Sequence, residues 1–302
     1  MRRYLLTGGR GFIGKHLAVA LARRSPGGDV VAVGREYDLT ERDRVAALFQ
    51  DFGRFDYVVH LADLHGNAAA AAANAAAQFR TNATMALNVL EAWHRYQPQS
   101  RLVGFSSLWA YPEAITDASE QTYWDGRLHP SIEHYGVIKK FLGSGIEAHK
   151  RQHQLRGTML VLGSVYGPGD ASFHVIPSLI RRMQANPEAV EIWGDGTETR
   201  DFIYIDDAVE GIIRHLDFDG PLLNIGSGIS YRISDVVETL ARAMSYGGKI
   251  TYNPGKGMGV ANRSINVSLA RRVSGWPENC QLQTLADGLR KTIQSITKPN
   301  NV

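Results

Sequence analysis

Thr7-Gly8-Gly9-Arg10-Gly11-Phe12-Ile13-Gly14 follows the apolar run Tyr4–Thr7 and opens a stretch of helical pattern. Gly8, Gly11 and Gly14 stand at the spacing G-x-x-G-x-x-G. Glycines in this order permit a tight turn, close approach of backbone to a pyrophosphate, and close packing of helix on strand. The helix that follows offers unpaired N–H groups and the positive end of its dipole to an anion. At the first strand–helix junction of a chain this pattern reads as a dinucleotide cradle, with Gly8, Gly11, Phe12, Ile13 and Gly14 as cofactor-binding residues.

The sequence around the loop agrees. Strand-like runs at Tyr4–Thr7, Val30–Val33, Tyr57–Leu61, Leu102–Phe105 and Met159–Leu162 alternate with helical patterns near 12–24, 41–52, 82–96 and 133–153. This alternation predicts an α/β protein, a Rossmann-type doubly wound parallel sheet with helices on both faces. The alanine-rich segment Gly66–Ala77 reads as helix or loop, and alanine propensity favours helix. After Pro168 glycines and prolines punctuate shorter elements, which predicts a smaller, discontinuous C-terminal substrate domain. The expected division is 1–165 for the nucleotide-binding domain, with 200–225 returning to it, and 166–199 plus 226–302 for the second. Thr297–Val302 reads as a frayed tail.

The second strand ends in Gly34-Arg35-Glu36. An acid at this tip suits the ribose 2′-hydroxyl of NAD, whereas an arginine suits the 2′-phosphate of NADP. Arg35 comes first, which favours NADP(H) over NAD(H); Glu36 argues the other way. Asp38-Leu39 falls where the following loop could reach the adenine edge. Asp38 is equally well placed as an acid ahead of a helix beginning near Thr40-Glu41.

Tyr135 and Lys139 lie four residues apart within the 133–153 helical pattern, hence on one face. A phenol has an ordinary pKa of about 10, and a neighbouring ammonium favours the phenolate. Such a pair can exchange a proton with a carbonyl or alcohol oxygen while a nicotinamide moves a hydride. Ser107 follows the fourth strand, at the end where open α/β sheets place their ligands. These three are the candidate catalytic residues. Asp63 and His65, just beyond the third strand, could face the nicotinamide, but ordinary loop polarity is the better reading of both.

Composition excludes other classes. The 302 residues carry a formal net charge of +3 without basic blocks, which gives no indication of nucleic-acid binding. One cysteine, Cys280, rules out an internal disulfide and a cysteine-rich metal site, and no metal is expected. No apolar run reaches the length of a membrane span. A strand begins so soon after Met1 that no signal peptide is expected, and a cytoplasmic location follows as the expectation.

Several further stretches carry a resemblance: His60-Leu61-Ala62, Asn82 with Asn88-Val89-Leu90, Phe105-Ser106-Ser107, Val165-Tyr166-Gly167-Pro168-Gly169, Arg200 through Asp207, Asn224 through Gly228, and Gly275-Trp276. With the glycine loop and Tyr135–Lys139 they make the chain similar, over nearly its whole length, to the extended short-chain dehydrogenase/reductases that act on nucleotide sugars. Phe173–Arg182 and Trp193–Arg200 resemble segments of the GDP-L-fucose synthase group, the NADPH-dependent epimerase-reductases. The resemblance implies catalysis by Ser107, Tyr135 and Lys139, with Lys139 also holding the nicotinamide ribose. It implies cofactor contacts at Leu61 and Ala62 and a homodimer paired through the helices near 82–96 and 133–153. For the nucleotide-sugar substrate it implies Trp109 lining the sugar pocket, His174 touching the sugar or serving as acid/base, Arg182 and Arg200 on the diphosphate, and Trp193 stacking on the base. The bland alternatives are a structural histidine before Pro177 for His174, a solvated helix face beside Arg181 for Arg182, and core for Trp193, the first weaker than substrate contact and the last as well supported as stacking.

The chain also departs from that group. The resemblance places an epimerising cysteine two residues beyond the serine, and here that position is Trp109. An indole carries only a non-ionising N–H. Ser164 and Asn266 stand where the group has Asn and Asp. The expected activity is therefore reduction of the C4 ketone of a 4-keto-6-deoxy nucleotide sugar, GDP-linked by the resemblance. The alternatives are the full 3,5-epimerase/4-reductase, a redox-neutral NAD-dependent 4-epimerase or dehydratase, and a binding or regulatory protein without chemistry.

Overall fold

The computed structural model describes residues 1–64, 73–172, 174–256 and 262–297. Its first sheet has six strands: β1 (Arg3–Thr7), β2 (Asp29–Val33), β3 (Tyr57–His60), β4 (Arg101–Ser107), β6 (Arg156–Leu162) and β10 (Leu222–Ile225), in the order β10-β6-β4-β3-β1-β2. The pairs β1–β2, β1–β3, β3–β4 and β4–β6 are all parallel. Leu5, Leu6, Val58, Val59, Leu102, Val103, Leu160 and Val161 are buried within these strands. Such continuous apolar runs, rather than alternating ones, mark a sheet covered on both faces. After β1 the chain builds β2 on one side and then crosses to β3 on the other. The order therefore reverses beside β1, where the glycine loop emerges.

Helices α1 (Phe12–Arg24), α2 (Arg42–Asp51), α3 (Ala75–Tyr96) and α4 (Glu133–His153) supply the covering layers. α3 and α4 lie against each other. Gly145 permits their approach, since a Cβ there would come 2.4 Å from Leu90 Cδ1. Trp93 of α3 and Ile146 of α4 are fully buried beneath. The outer faces of the pair keep Phe79, Leu87, Val137 and Phe141 exposed. α3 starts earlier than the expected 82–96 and takes in Ala75–Ala77, as alanine's propensity favours. The preceding residues 65–72, including His65, lie outside the described residues, as do Phe173 and the tail 298–302.

The chain folds as two compact units. The first is Met1–Ala110, Ile132–Leu162 and Val209–Leu223; the second is Tyr111–Ser131, Gly163–Ala208 and Asn224–Val302. The second unit is centred on β9 (Thr199–Tyr204), which pairs parallel with β7 (Ser164–Tyr166) and β13 (Asn262–Ile265) and antiparallel with β11 (Ser230–Arg232). β5 (Asp117–Ala118) extends this sheet from β13. β8 (Ala189–Trp193) and β12 (Lys249–Asn253) form a separate parallel pair. The unit's helices are α5 (Val175–Ala185), α7 (Ile233–Ala243), α8 (Ser268–Ser274) and α9 (Leu285–Thr297), while α6 (Ile205–Arg214) starts here and ends in the first unit.

Two boundaries differ from the sequence expectation. Of the 200–225 stretch, β10 rejoins the first sheet, but β9 belongs to the second. Residues 111–131 also belong to the second unit, although 1–165 was expected to be continuous. One buried amide accounts for much of this. Asn224 accepts the Tyr111 hydroxyl at 2.7 Å and donates to Ala118 O at 2.8 Å and Asn266 O at 2.9 Å. Asp201 of β9 adds a second tie, accepting the N–H of Ser227 at 3.0 Å and of Gly228 at 2.8 Å.

Candidate active site

The glycine loop is built by backbone alone. Gly8 has φ +70°, and a Cβ there would sit 2.6 Å from the nitrogen of Ala62. The loop thus presses on the chain leaving β3, which brings Leu61 and Ala62 beside it. Leu61 N–H donates to Thr7 O at 2.9 Å, and Gly9 N–H to Val33 O at 2.8 Å. A Cβ on Gly14 would come 2.3 Å from Gly8 O, so the third glycine lets α1 start directly against the turn. Gly11 is the N-cap of α1 and contributes no side-chain cap. The cradle therefore fits a dinucleotide phosphate, offering backbone N–H groups and excluding side chains at each close approach.

At the tip of β2, Arg35 and Glu36 are both exposed. Glu36 accepts the N–H of Gly34 at 3.0 Å and pairs with Arg10 of the glycine loop at 2.9 Å. These contacts hold its carboxyl below the usual carboxylate range. Asp38 Oδ1 is taken by the N–H and hydroxyl of Thr40, at 2.9 and 2.7 Å, the turn geometry of the helix-entry alternative. Leu39 is buried, and its carbonyl accepts from Asn88 at 2.9 Å.

Ser107, Tyr135 and Lys139 converge. β4 delivers Ser107 at its carboxyl end, and the first turns of α4 deliver the other two. Tyr135 and Ser107 are hydrogen-bonded through their side chains. Ser107 Oγ also accepts the Trp109 N–H at 3.2 Å, which leaves its own proton to point elsewhere. The Lys139 ammonium lies 5.1 Å from the centre of the Tyr135 ring. Burial pushes the Tyr135 phenol above its ordinary value; Lys139 and Ser107 act against that rise, and Asp63 adds to it. Lys139 pulls in the expected direction, toward the phenolate, but burial outweighs it. Trp109 is half-buried in the short turn after Ser107.

Asp63 pairs with Lys139 at 2.9 Å, and both side chains are largely buried. Its reading as ordinary loop polarity is therefore overturned. The available signal was its place directly beyond a parallel strand, at the carboxyl end. Behind the lysine, His60 Nδ1 lies 2.7 Å from the Thr7 hydroxyl. Burial, and then the charge of Lys139, hold His60 neutral with its pKa pushed down to about 3.

In the second unit Arg182 and Trp193 come together, the guanidinium 5.9 Å from the ring centre. Arg182 also donates to Glu191 O. Trp193 is 53% exposed, which discards its reading as core. Arg200 is buried on β9, donates to Thr199 O at 2.7 Å, and sits in register with Arg263 of β13. Arg263 is fully buried and donates to Tyr111 O at 3.1 Å and Pro112 O at 3.0 Å. The sequence motifs do not point to it, because an inward-facing arginine is recognisable only once Asn262–Ile265 is known as a strand. His174 caps the start of α5 with its ring half-exposed, and its Nδ1 lies 3.9 Å from the buried Asp170 carboxylate. Among the described residues no cluster of His, Cys, Asp or Glu could hold a metal ion, and no helix is long and apolar enough to cross a membrane.

The sequence profile of the NAD dependent epimerase/dehydratase family matches residues 4–226. The chain belongs to that family. Two curated members span it nearly end to end. A GDP-L-fucose synthase of Azorhizobium caulinodans is 26% identical, covering 100% of this chain and 98% of its own. A dTDP-4-dehydro-6-deoxy-D-allose reductase of Streptomyces bikiniensis is also 26% identical, covering 96% and 95%. Among solved structures, a GDP-mannoheptose C4 reductase from Campylobacter jejuni with NADP bound superposes with a TM-score of 0.85 at 23% identity, covering 98% of each chain. That membership makes this protein an enzyme of the NAD-dependent epimerase/dehydratase class, and its Rossmann-like sheet matches the fold of the solved structure.

Proposed function

We propose that the protein reduces the C4 ketone of a 4-keto-6-deoxy nucleotide sugar, GDP-linked, with NADPH as the reductant. The observation that carries this reading is the convergence of Ser107, Tyr135 and Lys139 with Trp109, an indole, two residues beyond the serine. That set can protonate a carbonyl oxygen and has no thiol to carry a proton at C3 or C5.

Bound NADPH supplies the hydride. Tyr135 donates a hydrogen bond to the C4 oxygen and then gives up its proton as the oxygen gains charge. Ser107 donates a second hydrogen bond to the same oxygen while its Oγ accepts the Trp109 N–H. Lys139 holds the nicotinamide ribose hydroxyls and steadies the phenolate left behind. Gly8, Gly11, Phe12, Ile13 and Gly14 cradle the pyrophosphate, with Leu61 and Ala62 lining the loop's other side. Leu39 and Asp38 lie toward the adenine. Arg35 and Arg10, two guanidinium groups against the single Glu36 carboxylate, support a 2′-phosphate and hence NADP(H). In the second unit we assign Arg200 and Arg182 to the diphosphate and Trp193 to the base. His174 is assigned to the sugar, and Trp109 to the wall of a sugar pocket.

The curated synthase and reductase relatives support the substrate class, and the NADP in the heptose-reductase structure supports the cofactor. The exposed apolar face of α3 and α4 supports pairing with a second copy. A Phe141→Asp variant that still sediments as a dimer would exclude that face. Function in the cytoplasm completes the proposal.

The deciding experiment measures oxidation of NADPH and NADH with GDP-, dTDP-, UDP- and CDP-linked 4-keto-6-deoxy sugars, with the product solved by NMR. Oxidation with one of them establishes the reductase and its nucleotide. Deuterium from D₂O at C3 or C5 of the product would restore the full epimerase-reductase. No oxidation with any of them would leave a redox-neutral epimerase or dehydratase, or a site without chemistry.

A further inference from the structure

We propose that Asp63 is a positioning residue of this site: its carboxylate holds the Lys139 ammonium against the Tyr135 ring and offsets its charge, so that the proton stays on Tyr135 and the site acts as an acid over a wider pH range. This rests on the ketoreductase reading above, in which Tyr135 is the proton donor.

The geometry makes the pair tight. Lys139 Nζ and Asp63 Oδ2 are 2.9 Å apart, with side chains only 11% and 18% exposed. A largely buried pair at this distance interacts more strongly than one on the surface. Asp63 stands just beyond β3, while Tyr135 and Lys139 share a face of α4, so the pair ties the strand end to the helix. Among the described residues, the groups around the Tyr135–Lys139 pair come from four elements. β3 and its continuation give His60 and Asp63; β4 gives Ser107; α4 gives Lys139. α3 contributes the uncharged Asn82 and Ala86 to the pocket beside the lysine. His60 is buried and neutral, so among the described residues the charges that act on Tyr135 are the Lys139 ammonium and the Asp63 carboxylate.

A lone ammonium beside a phenol favours phenolate. An ammonium already paired with a carboxylate favours it much less, because the two charges act as a dipole whose negative end also opposes a second anion nearby. Burial is the chief cause of the rise at Tyr135; of the two charges Lys139 lowers it and Asp63, in smaller measure, raises it, the sense the pairing requires. Reduction needs the phenol and oxidation needs the phenolate. Asp63 therefore widens the pH range of the reductive direction and narrows that of the reverse. The overall equilibrium remains that of the reactants.

The test needs a readout independent of turnover. Protein labelled with [¹³Cζ]tyrosine is titrated, with the Tyr135 resonance identified by its loss in Tyr135→Phe. Asp63→Asn should move the Tyr135 titration down by about one pH unit, or bring it into the accessible range if the unaltered protein shows none. Asp63→Glu, which keeps the charge, should stay near the unaltered protein and guards against a general loss of packing. In NADPH oxidation the alkaline limb of the kcat profile should shift down with Asp63→Asn by the same amount. A Tyr135 titration with no downward displacement in Asp63→Asn overturns the proposal. If no sugar is reduced, the ketoreductase reading fails by itself, and the resonance still decides the role of Asp63.

Discussion

Replacing Gly14 with alanine sets two effects of known size against each other. Gly14 lies in the first turn of α1 with an ordinary helical backbone, and alanine in a helix is favoured over glycine by up to about 1 kcal/mol. Propensity alone predicts a more stable protein. The added Cβ, however, would lie 2.3 Å from Gly8 O and 2.7 Å from Gly9 Cα, about 1 Å inside ordinary contact. Those atoms are backbone and have no rotamer to change. The turn they belong to is closed by Gly11 N–H to Gly8 O at 2.9 Å and anchored by Gly9 N–H to Val33 O at 2.8 Å. Overpacking of this kind costs about 1–3 kcal/mol, so the net effect on stability is a loss of about 0–2 kcal/mol. Binding should suffer more, because the displaced peptides are those offered to the phosphates. A shift of about 1 Å in such groups can cost about 100-fold. NADPH fluorescence titration should show a Kd raised roughly 10- to 100-fold, alongside a melting temperature equal to or below that of the unaltered protein. A higher melting temperature with unchanged Kd would refute both the rigidity of the turn and its role as the cradle.

Tyr135→Phe should lower reductive turnover by about 10²–10⁴-fold while NADPH binds as before; near-normal turnover would sink the assignment of the proton donor. Arg35→Ser should raise KM for NADPH by about tenfold and leave KM for NADH nearly unchanged, read from initial rates with each cofactor; equal changes would remove Arg35 from the 2′-phosphate. His60 is held neutral with a pKa of about 3 against an ordinary 6.5, so the unfolded chain binds a proton between those values that the folded chain does not. Its contribution to stability is complete above about pH 6.5 and is lost progressively as pH falls toward 3. Urea melts of His60→Gln across this window should show a flatter dependence on pH, by up to several kcal/mol; the same slope as the unaltered protein would contradict it.

The first unit was legible because its signals are local. A glycine must sit where a Cβ would strike backbone, as at Gly8 and Gly14, and continuous apolar runs such as Leu5-Leu6 and Val58-Val59 belong in a sheet covered on both faces. Tyr135 and Lys139 could be placed on one face by helical spacing alone. Asp63 was misread because its partner is 76 positions away, and neither spacing nor propensity reports which distant cation a loop acid meets. The second unit was harder for the same reason. Its sheet joins β5, β7, β9, β11 and β13 from three separate stretches, and Asn224 binds Tyr111, Ala118 and Asn266 at once. The two-residue strand β5 is too short to carry a period. The net effect on Tyr135 was equally unreadable, since burial is a property of the folded surroundings.

The edge of β6 is finished by a strand made late. β10 covers it at Leu222–Ile225, and Thr158 Oγ donates to Gly220 O at 2.8 Å to fasten the join. At synthesis rates of about 5–20 residues per second, the roughly 60 residues between β6 and β10 take about 3–12 seconds to appear. For that interval a nascent chain displays β6 as an open parallel edge, rich in Met159-Leu160-Val161-Leu162, the kind of surface that recruits a strand from a neighbour. Ribosomes crowded on one message hold several such edges close together. Yield on overexpression is therefore governed by translation speed between residues 163 and 221 as well as by the stability of the finished fold. Slower codons between residues 163 and 221 would prolong that exposure, whereas slower codons before β6 would not.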